Sequence, residues 1–215
     1  MKQLGMVAIL LCCWLGMAAW GQEALLLRVD GEIGPWTVSY LQRGIREARS
    51  EGVDALVLIL STPGGMLDSA VEARRLLLEA ELTTIAYVSL EALSAGAMLA
   101  ISCETILFAP GGVMGAATPV LLSDGAFAEA PEKVISATRS LFRASAERYG
   151  RPPEVAEAMV DPKIELRGYY DEDGEFVIFR YREGEESFTP PTPTRPDAPA
   201  QGAEDLSRAI ETVSE

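Results

Sequence analysis

Apolar residues along the chain alternate between continuous runs of strand length and stretches with helical spacing. Residues 24–34, ALLLRVDGEIG, predict a strand that runs into a glycine turn, and the apolar spacing of residues 36–51 predicts a helix that ends at Gly52. Residues 54–60, DALVLIL, form an unbroken apolar run, which is typical of a strand covered on both faces. This order predicts an α/β domain with a largely parallel sheet.

The same order continues towards the carboxyl end, with strands and helices at short intervals. The further elements predicted are a helix over 67–81, a strand over 83–90, a helix over 94–103, a short strand over 105–109 and a long helix over 132–149. Gly150 and the following prolines end the long helix. Because sequential strands are joined through helices, we expect right-handed crossover connections between parallel neighbours.

The two ends of the chain differ in composition from this central part. Residues 1–21 have one early lysine, a long apolar run and then small residues, which predicts a cleaved signal peptide or an N-terminal anchor, and therefore export. Residues 22–163 are expected to form the main domain. Residues 164–188 predict an acidic β-hairpin, and residues 189–215 a Pro-rich linker with a short tail.

The charge and cysteine content narrow the possible partners and the chemistry. The chain has 32 acidic and 18 basic residues, giving a net charge of -14, so its surface repels phosphate backbones and nucleic acid is not an expected partner. Cys12 and Cys13 lie in the export segment, so if that segment is cleaved, Cys103 is left without an intrachain disulfide partner. Cys103 is expected to be a small buried apolar residue.

Two stretches that could carry chemistry follow predicted strands directly. Residues 61–65, STPGG, and the segment around Ser94 both lie where the carboxyl ends of strands gather ligands in α/β sheets. Gly64 and Gly65 leave backbone N–H groups free to face an incoming oxygen, as an oxyanion hole requires. The alternative is a tight turn in which Pro63 fixes the backbone.

Ser94 has two interpretations, as a helix N-cap or as a nucleophile. A nucleophilic serine needs a base, and the chain has no histidine and three lysines, Lys2, Lys133 and Lys163. Lys133 lies in the first turn of the long predicted helix, where the positive end of the helix dipole favours the neutral amine that can accept a proton. The alternative is an ordinary solvated lysine, and the neighbouring Glu132 opposes the neutral form unless it points away.

Four motifs in order resemble the ClpP-class serine protease domain of NfeD-type membrane proteins. They are TPGG at 62–65, SAGA at 94–97, FAPGGVMGAATPV at 108–120, and EKV at 132–134 followed by AERYGR at 146–151. The resemblance covers about residues 24–163. It implies a ClpP/crotonase-like fold of stacked ββα units with a Ser/Lys dyad.

The resemblance also implies a role for each matching residue. Ser94 would be the nucleophile and Lys133 the general base. The amides of Gly64 and Gly65 would stabilise the oxyanion, and the small side chain of Ala95 would let a substrate backbone approach. No cofactor and no metal ion are expected.

The function implied is a serine endopeptidase outside the cytoplasm, in the periplasm or at the outer face of the cell membrane. It would cleave apolar segments of membrane-associated polypeptides such as stomatin-like proteins, and membrane association and a homo-oligomer, a dimer or larger, are expected. Two alternatives use the same fold: a catalytically inactive scaffold, and a crotonase-type acyl-CoA enzyme. Export argues against the acyl-CoA enzyme, because CoA is a cytoplasmic cofactor.

Overall fold

A parallel β-sheet lies at the centre of the computed structural model, which describes residues 23–123, 126–171 and 173–181. The strands are β1 Ala24–Asp30, β2 Ala55–Thr62, β3 Thr83–Leu93, β4 Thr105–Phe108, β5 Val113–Gly115, β6 Val120–Ser123, β7 Ala126–Glu129, β8 Glu165–Tyr170 and β9 Phe176–Tyr181. The helices are α1 Pro35–Glu51, α2 Leu67–Leu78, α3 Ala95–Ile101, α4 Glu132–Arg148 and α5 Pro153–Ala158.

Five of the described strands form the main sheet, in the order β1-β2-β3-β4, with β5 paired to the last residues of β3. Every pairing in this sheet is parallel. Along β2 the residues Leu56, Leu58, Leu60 and Thr62 are fully buried, whereas the alternate positions are half-buried. The predicted α/β architecture with a largely parallel sheet is therefore confirmed.

The short helix α3, which follows the serine stretch, is fixed at its carboxyl end. Ser102 donates a hydrogen bond to the carbonyl oxygen of Met98 at 2.6 Å, and the guanidinium of Arg151 donates to the carbonyl oxygens of Ile101 and Cys103 at 3.1 and 2.7 Å. These donors satisfy carbonyl groups in the last turn of the helix, where no partner is available inside the helix, and one carbonyl just beyond it. The helix in the structure, Ala95–Ile101, is shorter than the predicted helix over 94–103, and Ser94 lies just before its first residue.

Three elements of the structure are absent from the sequence prediction: β5, the β6–β7 hairpin and α5. Strands of three or four residues are too short to show an apolar period. The hairpin nevertheless has a signal, since Asp-Gly at 124–125 stands between two apolar stretches, a pair typical of tight hairpin turns.

The antiparallel strands β8 and β9 lie within the range predicted for a hairpin, and residues 182–188 of that range are outside the described residues, as are residues 1–21 and 189–215. The carboxylate of Glu157 on α5 joins the hairpin to the domain. It accepts hydrogen bonds from Arg143 on α4, at 3.1 Å, and from Arg180 on β9. Within the described ranges, no helix has the length and apolarity needed to cross a bilayer.

We predict that Glu157→Gln loosens the β8–β9 hairpin while the main sheet is unaffected. The amide keeps the shape of the side chain but loses the charge that both guanidinium groups contact. Because Arg143 and Arg180 are partly exposed to water, the expected loss is about 1 kcal/mol. Amide hydrogen exchange should accelerate in β9 and not in β2. Glu147→Gln, which removes an exposed partner of the same Arg143, is the control; equal effects of the two variants would contradict the prediction.

Cys103 makes the stability of the fold depend on alkaline pH. Burial raises the pKa of its thiol from 9.0 to about 12. Below pH 9 the thiol is protonated in both states, whereas between pH 9 and 12 only the unfolded chain ionises, so stability falls as pH rises. The loss approaches about 1.4 kcal/mol per pH unit. Urea unfolding at pH 8 and pH 10 should show this loss in the wild type. Cys103→Ala should lose less stability between these two pH values, because it has no thiol to ionise. Equal losses in the two proteins would contradict the role of the Cys103 thiol.

Candidate active site

Ser94 lies in a sharp turn between β3 and α3, in a backbone conformation that side chains rarely adopt. Its φ and ψ are 51° and -116°, and its N–H donates to the carbonyl oxygen of Gly115 on β5 at 2.8 Å. Although Ser94 occupies the N-cap position of α3, its hydroxyl makes no capping hydrogen bond within the described chain. Ser94 is therefore the N-cap residue by position, but its hydroxyl does not cap the helix. Strain of this kind is typical of functional positions.

Gly64 and Gly65 stand where three backbone segments meet. A Cβ atom on Gly64 would lie 2.6 Å from Cβ of Ser94, and one on Gly65 would lie 2.1 Å from the carbonyl oxygen of Ile33. Both glycines have positive φ, 117° and 152°. Ile33 forms a parallel bridge with Gly65: its N–H donates to the Gly64 carbonyl oxygen at 2.7 Å, and its own carbonyl oxygen accepts from Met66 at 2.8 Å. Only glycine permits both approaches.

The two glycine amides have different environments. The N–H of Gly64 donates to Oγ1 of Thr62 at 3.1 Å, so it is already engaged. The N–H of Gly65 has no acceptor among the described residues, and Gly65 lines the same cavity as Ser94. Ala95 heads α3, where the first amides of a helix have no partner inside it. Gly65 and Ala95 thus line the cavity together with Ser94 and carry N–H groups with no acceptor among the described residues.

An open cavity of about 210 Å³ lies beside Ser94. Its lining includes no charged side chain, and Thr138 is the polar side chain there besides Ser94. The apolar side chains of the lining are Met66, Leu67, Ala95, Met98, Ala117, Pro119, Val120, Leu121, Val134 and Phe142. The cavity therefore suits an apolar group rather than a charged one.

Lys133 is exposed in the first turn of α4 and does not line the cavity, although the next residue, Val134, does. Among the described residues, the side chain of Lys133 makes no hydrogen bond or ion pair, with Ser94 or with any other group. The neighbouring Glu132 instead lies 3.7 Å from the ammonium of Lys163. The structure thus gathers Ser94, Gly64, Gly65 and Ala95 but leaves Lys133 outside the group.

Ionised side chains that lie close together near a cavity can also bind metal cations. In the part of the chain that the structure describes, no three His, Cys, Asp or Glu side chains are grouped where they could hold a metal ion. The donors at the cavity are a hydroxyl and backbone amides, which are suited to an anionic oxygen.

The sequence of the chain matches a known protein family. Residues 25–187 match the family described as "NfeD1b, N-terminal domain". The chain belongs to the NfeD1b N-terminal domain family. This NfeD1b domain is 35% identical over 146 residues to the membrane protein NfeD1b of Bacillus subtilis (strain 168), an alignment that covers 68% of the chain and 33% of the relative.

A second relative of the NfeD1b domain is the membrane-bound protease PH1510 of Pyrococcus horikoshii, 28% identical over 144 residues. That alignment covers 65% of the chain and 33% of PH1510. The chain therefore spans about one third of the length of both curated relatives.

Two solved structures of the "1510-N membrane-bound stomatin-specific protease" have the same fold as the NfeD1b domain. A serine-to-alanine variant aligns with a TM-score of 0.62 at 26% identity, over 65% of this chain and 70% of that chain. A lysine-to-alanine variant in complex with a substrate peptide aligns with a TM-score of 0.63 at 26% identity, over 66% and 68%. The predicted ClpP-like fold is confirmed, and the domain is related to a membrane protease.

Sequence reasoning about the NfeD1b domain missed the contribution of Thr62. The TPGG motif drew attention to its glycines, yet the threonine hydroxyl holds the Gly64 amide. The available signal was local: a Ser or Thr side chain often bonds the backbone two residues further along a turn.

We predict that Gly65→Ala destabilises the NfeD1b domain by roughly 3 kcal/mol or more, because the new methyl group overlaps the backbone of Ile33 in addition to the strain of a positive φ. Gly31→Ala is the matched control, since Gly31 has a φ of 77° but nothing within 4 Å of the added atom. Strain alone should cost this control about 1 to 2 kcal/mol. Urea unfolding measures both, and an equal loss in the two variants would show that close approach is unimportant.

Proposed function

We propose that this domain is a serine endopeptidase in which Ser94 is the nucleophile, Lys133 the general base, and the amides of Gly65 and Ala95 the oxyanion donors. The observation that carries the proposal is the strained Ser94 at an apolar cavity, beside two N–H groups that face no other acceptor among the described residues. Gly64 contributes room for Ser94 rather than a donor, since its amide is engaged by Thr62.

The reaction follows from this arrangement. The hydroxyl oxygen of Ser94 attacks the carbonyl carbon of a peptide bond as its proton passes to the amine of Lys133, and the oxyanion that forms accepts hydrogen bonds from Gly65 and Ala95. The C–N bond then breaks, and Lys133 returns the proton to the leaving amine. Water attacks the resulting ester, with Lys133 again taking and returning the proton, and releases the acid with Ser94 restored.

Lys133 does not line the cavity, so its proposed role rests on the residues around it. Its neighbour Val134 forms part of the cavity wall, and the flexible side chain of Lys133 makes no competing ion pair among the described residues. Glu132 is engaged with Lys163, which leaves the first turn of α4 without a carboxylate bound to Lys133. In the solved relatives, the two variants alter a serine and a lysine.

The substrate we propose is an apolar segment of a membrane-associated polypeptide, such as a stomatin-like protein. The cavity lining has no charged side chain, and exposed apolar residues continue from it: Met66, Val120 and Leu121 line it, and Phe127, 77% exposed, follows on β7. The solved structures that share this fold are of a protease described as stomatin-specific. We further propose extracytoplasmic localisation, membrane association and assembly into a homo-oligomer.

The experiment that tests the dyad combines labelling with cleavage. A fluorophosphonate probe forms a bond from phosphorus to the serine oxygen and releases fluoride, so it reports an activated serine without knowledge of the substrate. Wild type, Ser94→Ala, Lys133→Ala and Lys133→Arg are labelled, the modified peptide is identified by mass spectrometry, and each protein is tested on casein and an apolar peptide. Arginine keeps the charge of Lys133 but cannot act as a base.

We expect Ser94→Ala to lose labelling, and both Lys133 variants to lose about 10²- to 10⁴-fold in cleavage rate, the usual range for a general base. Lys163→Ala, which removes the other described lysine, should stay close to wild type. Cleavage at the wild-type rate by Lys133→Ala contradicts the dyad. A wild type that neither labels nor cleaves contradicts the peptidase and favours the scaffold, and binding of a CoA thioester without cleavage favours the acyl-CoA enzyme.

A further inference from the structure

Thr62, the last residue of β2, is fully buried between the glycine turn and α3. Its Oγ1 accepts a hydrogen bond from the Gly64 N–H at 3.1 Å and donates one to the Gly64 carbonyl oxygen at 3.3 Å. A single hydroxyl therefore contacts the peptide groups on both sides of the Gly64 Cα. Both of its hydrogen-bonding functions are used within the turn.

The hydrogen bonds of the Gly64 carbonyl oxygen determine where the Gly65 N–H points. These two groups belong to one trans peptide, in which C=O and N–H face opposite directions. The carbonyl oxygen is held from one side by the N–H of Ile33 at 2.7 Å and by the hydroxyl of Thr62. The Gly65 N–H is consequently directed away from Ile33, and Gly65 lines the cavity that Ser94 also lines.

This peptide needs a restraint because glycine flanks it on both sides. With no Cβ on either residue, rotation of the Gly64–Gly65 peptide meets little steric resistance from its own side chains. A rotated peptide would turn its carbonyl oxygen towards Ser94, where it would repel an oxyanion. Two hydrogen bonds to the Gly64 carbonyl oxygen oppose that rotation, one from the hydroxyl of Thr62 and one from the N–H of Ile33.

The methyl group of Thr62 adds a second contact, on the opposite side of the site. Its Cγ2 atom lies 2.5 Å from the position that a Cβ on Gly96 would occupy, so Thr62 packs directly on the first turn of α3. One side chain thus contacts both the turn that carries the Gly65 amide and the helix that carries Ser94 at its start.

We propose that Thr62 is a positioning residue that fixes the Gly64–Gly65 peptide with the Gly65 N–H facing Ser94. This inference rests on the proposed peptidase function. The hydroxyl of Thr62 contributes to transition-state stabilisation, and its methyl group contributes to packing. Loss of the hydroxyl should therefore lower kcat with little change in KM, because the amide matters most when the oxyanion forms.

The test separates the two parts of the side chain. Thr62→Val keeps the shape and removes the hydroxyl, whereas Thr62→Ser keeps the hydroxyl and removes the methyl. Thr84→Val is the matched control: Thr84 is also buried, and its Oγ1 accepts the N–H of Glu104 at 3.0 Å, at the other end of β3 from Ser94. For each variant, kcat and KM on an apolar peptide, the inhibition constant of a peptide boronic acid and the urea midpoint are measured.

We expect Thr62→Val to lower kcat about 10- to 100-fold, less than the 10²- to 10³-fold cost of removing an oxyanion donor outright. KM should stay within about twofold, and the inhibition constant of the boronic acid, which forms a tetrahedral adduct with serine, should rise in the same proportion as kcat falls. Thr62→Ser should retain kcat within about threefold, and Thr84→Val should lose stability without losing kcat.

The proposal is overturned if Thr62→Val keeps the wild-type kcat and boronic-acid affinity, or if Thr84→Val lowers kcat as much as Thr62→Val does. Failure of the peptidase itself is recognised separately, because the wild type would then show no labelling at Ser94. In that case the NMR shift of the Gly65 amide in wild type and Thr62→Val still tests the geometry: an unchanged shift would contradict the restraint.

Discussion

The site depends on the close approach of backbone segments at Gly64 and Gly65. Gly65 touches the backbone of Ile33 on one side, and Gly64 touches Ser94 on the other, so neither residue has room for a Cβ atom. This contact joins the ends of β2 and β3 with the loop before α1, and so brings an amide, a hydroxyl and an apolar cavity together. Any side chain at either glycine would force apart segments on which all three depend.

The short helix α3 is held at both ends, which explains how a helix of two turns can follow a strained residue. At its start the N–H of Ser94 bonds to Gly115 on β5, and at its end Arg151 binds the carbonyl oxygens of Ile101 and, just beyond the helix, of Cys103. Every residue of the helix between them is buried. The surrounding contacts thus keep the backbone of Ser94 in its strained conformation, as a preorganised site requires.

The sequence allowed the sheet and the site to be predicted where local pattern and tertiary contacts agree. The apolar run of β2 and the glycine turn after it were evident, because burial and turn chemistry leave direct marks in the sequence. Strand β5 was not evident from the sequence, because its three residues pair with the end of β3 only after the chain has folded. Likewise, the sequence treats Gly64 and Gly65 as equivalent donors, and only the structure shows Thr62 occupying one of them.

The order of the strands has a consequence for how this chain folds. Ala24 of β1 pairs with Ala55 of β2, and Ala55 pairs in turn with Thr83 of β3, so each neighbouring pairing closes a loop that contains a whole helix. Such nonlocal contacts form slowly, because loop-closure entropy is lost before pairing compensates for it. Ser94, Gly65 and Ile33 belong to three different connections of the sheet, and no smaller part of the sheet brings them together. A nascent or partly unfolded chain therefore lacks the assembled site, so under the proposed function any reactivity at Ser94 would report completion of the fold.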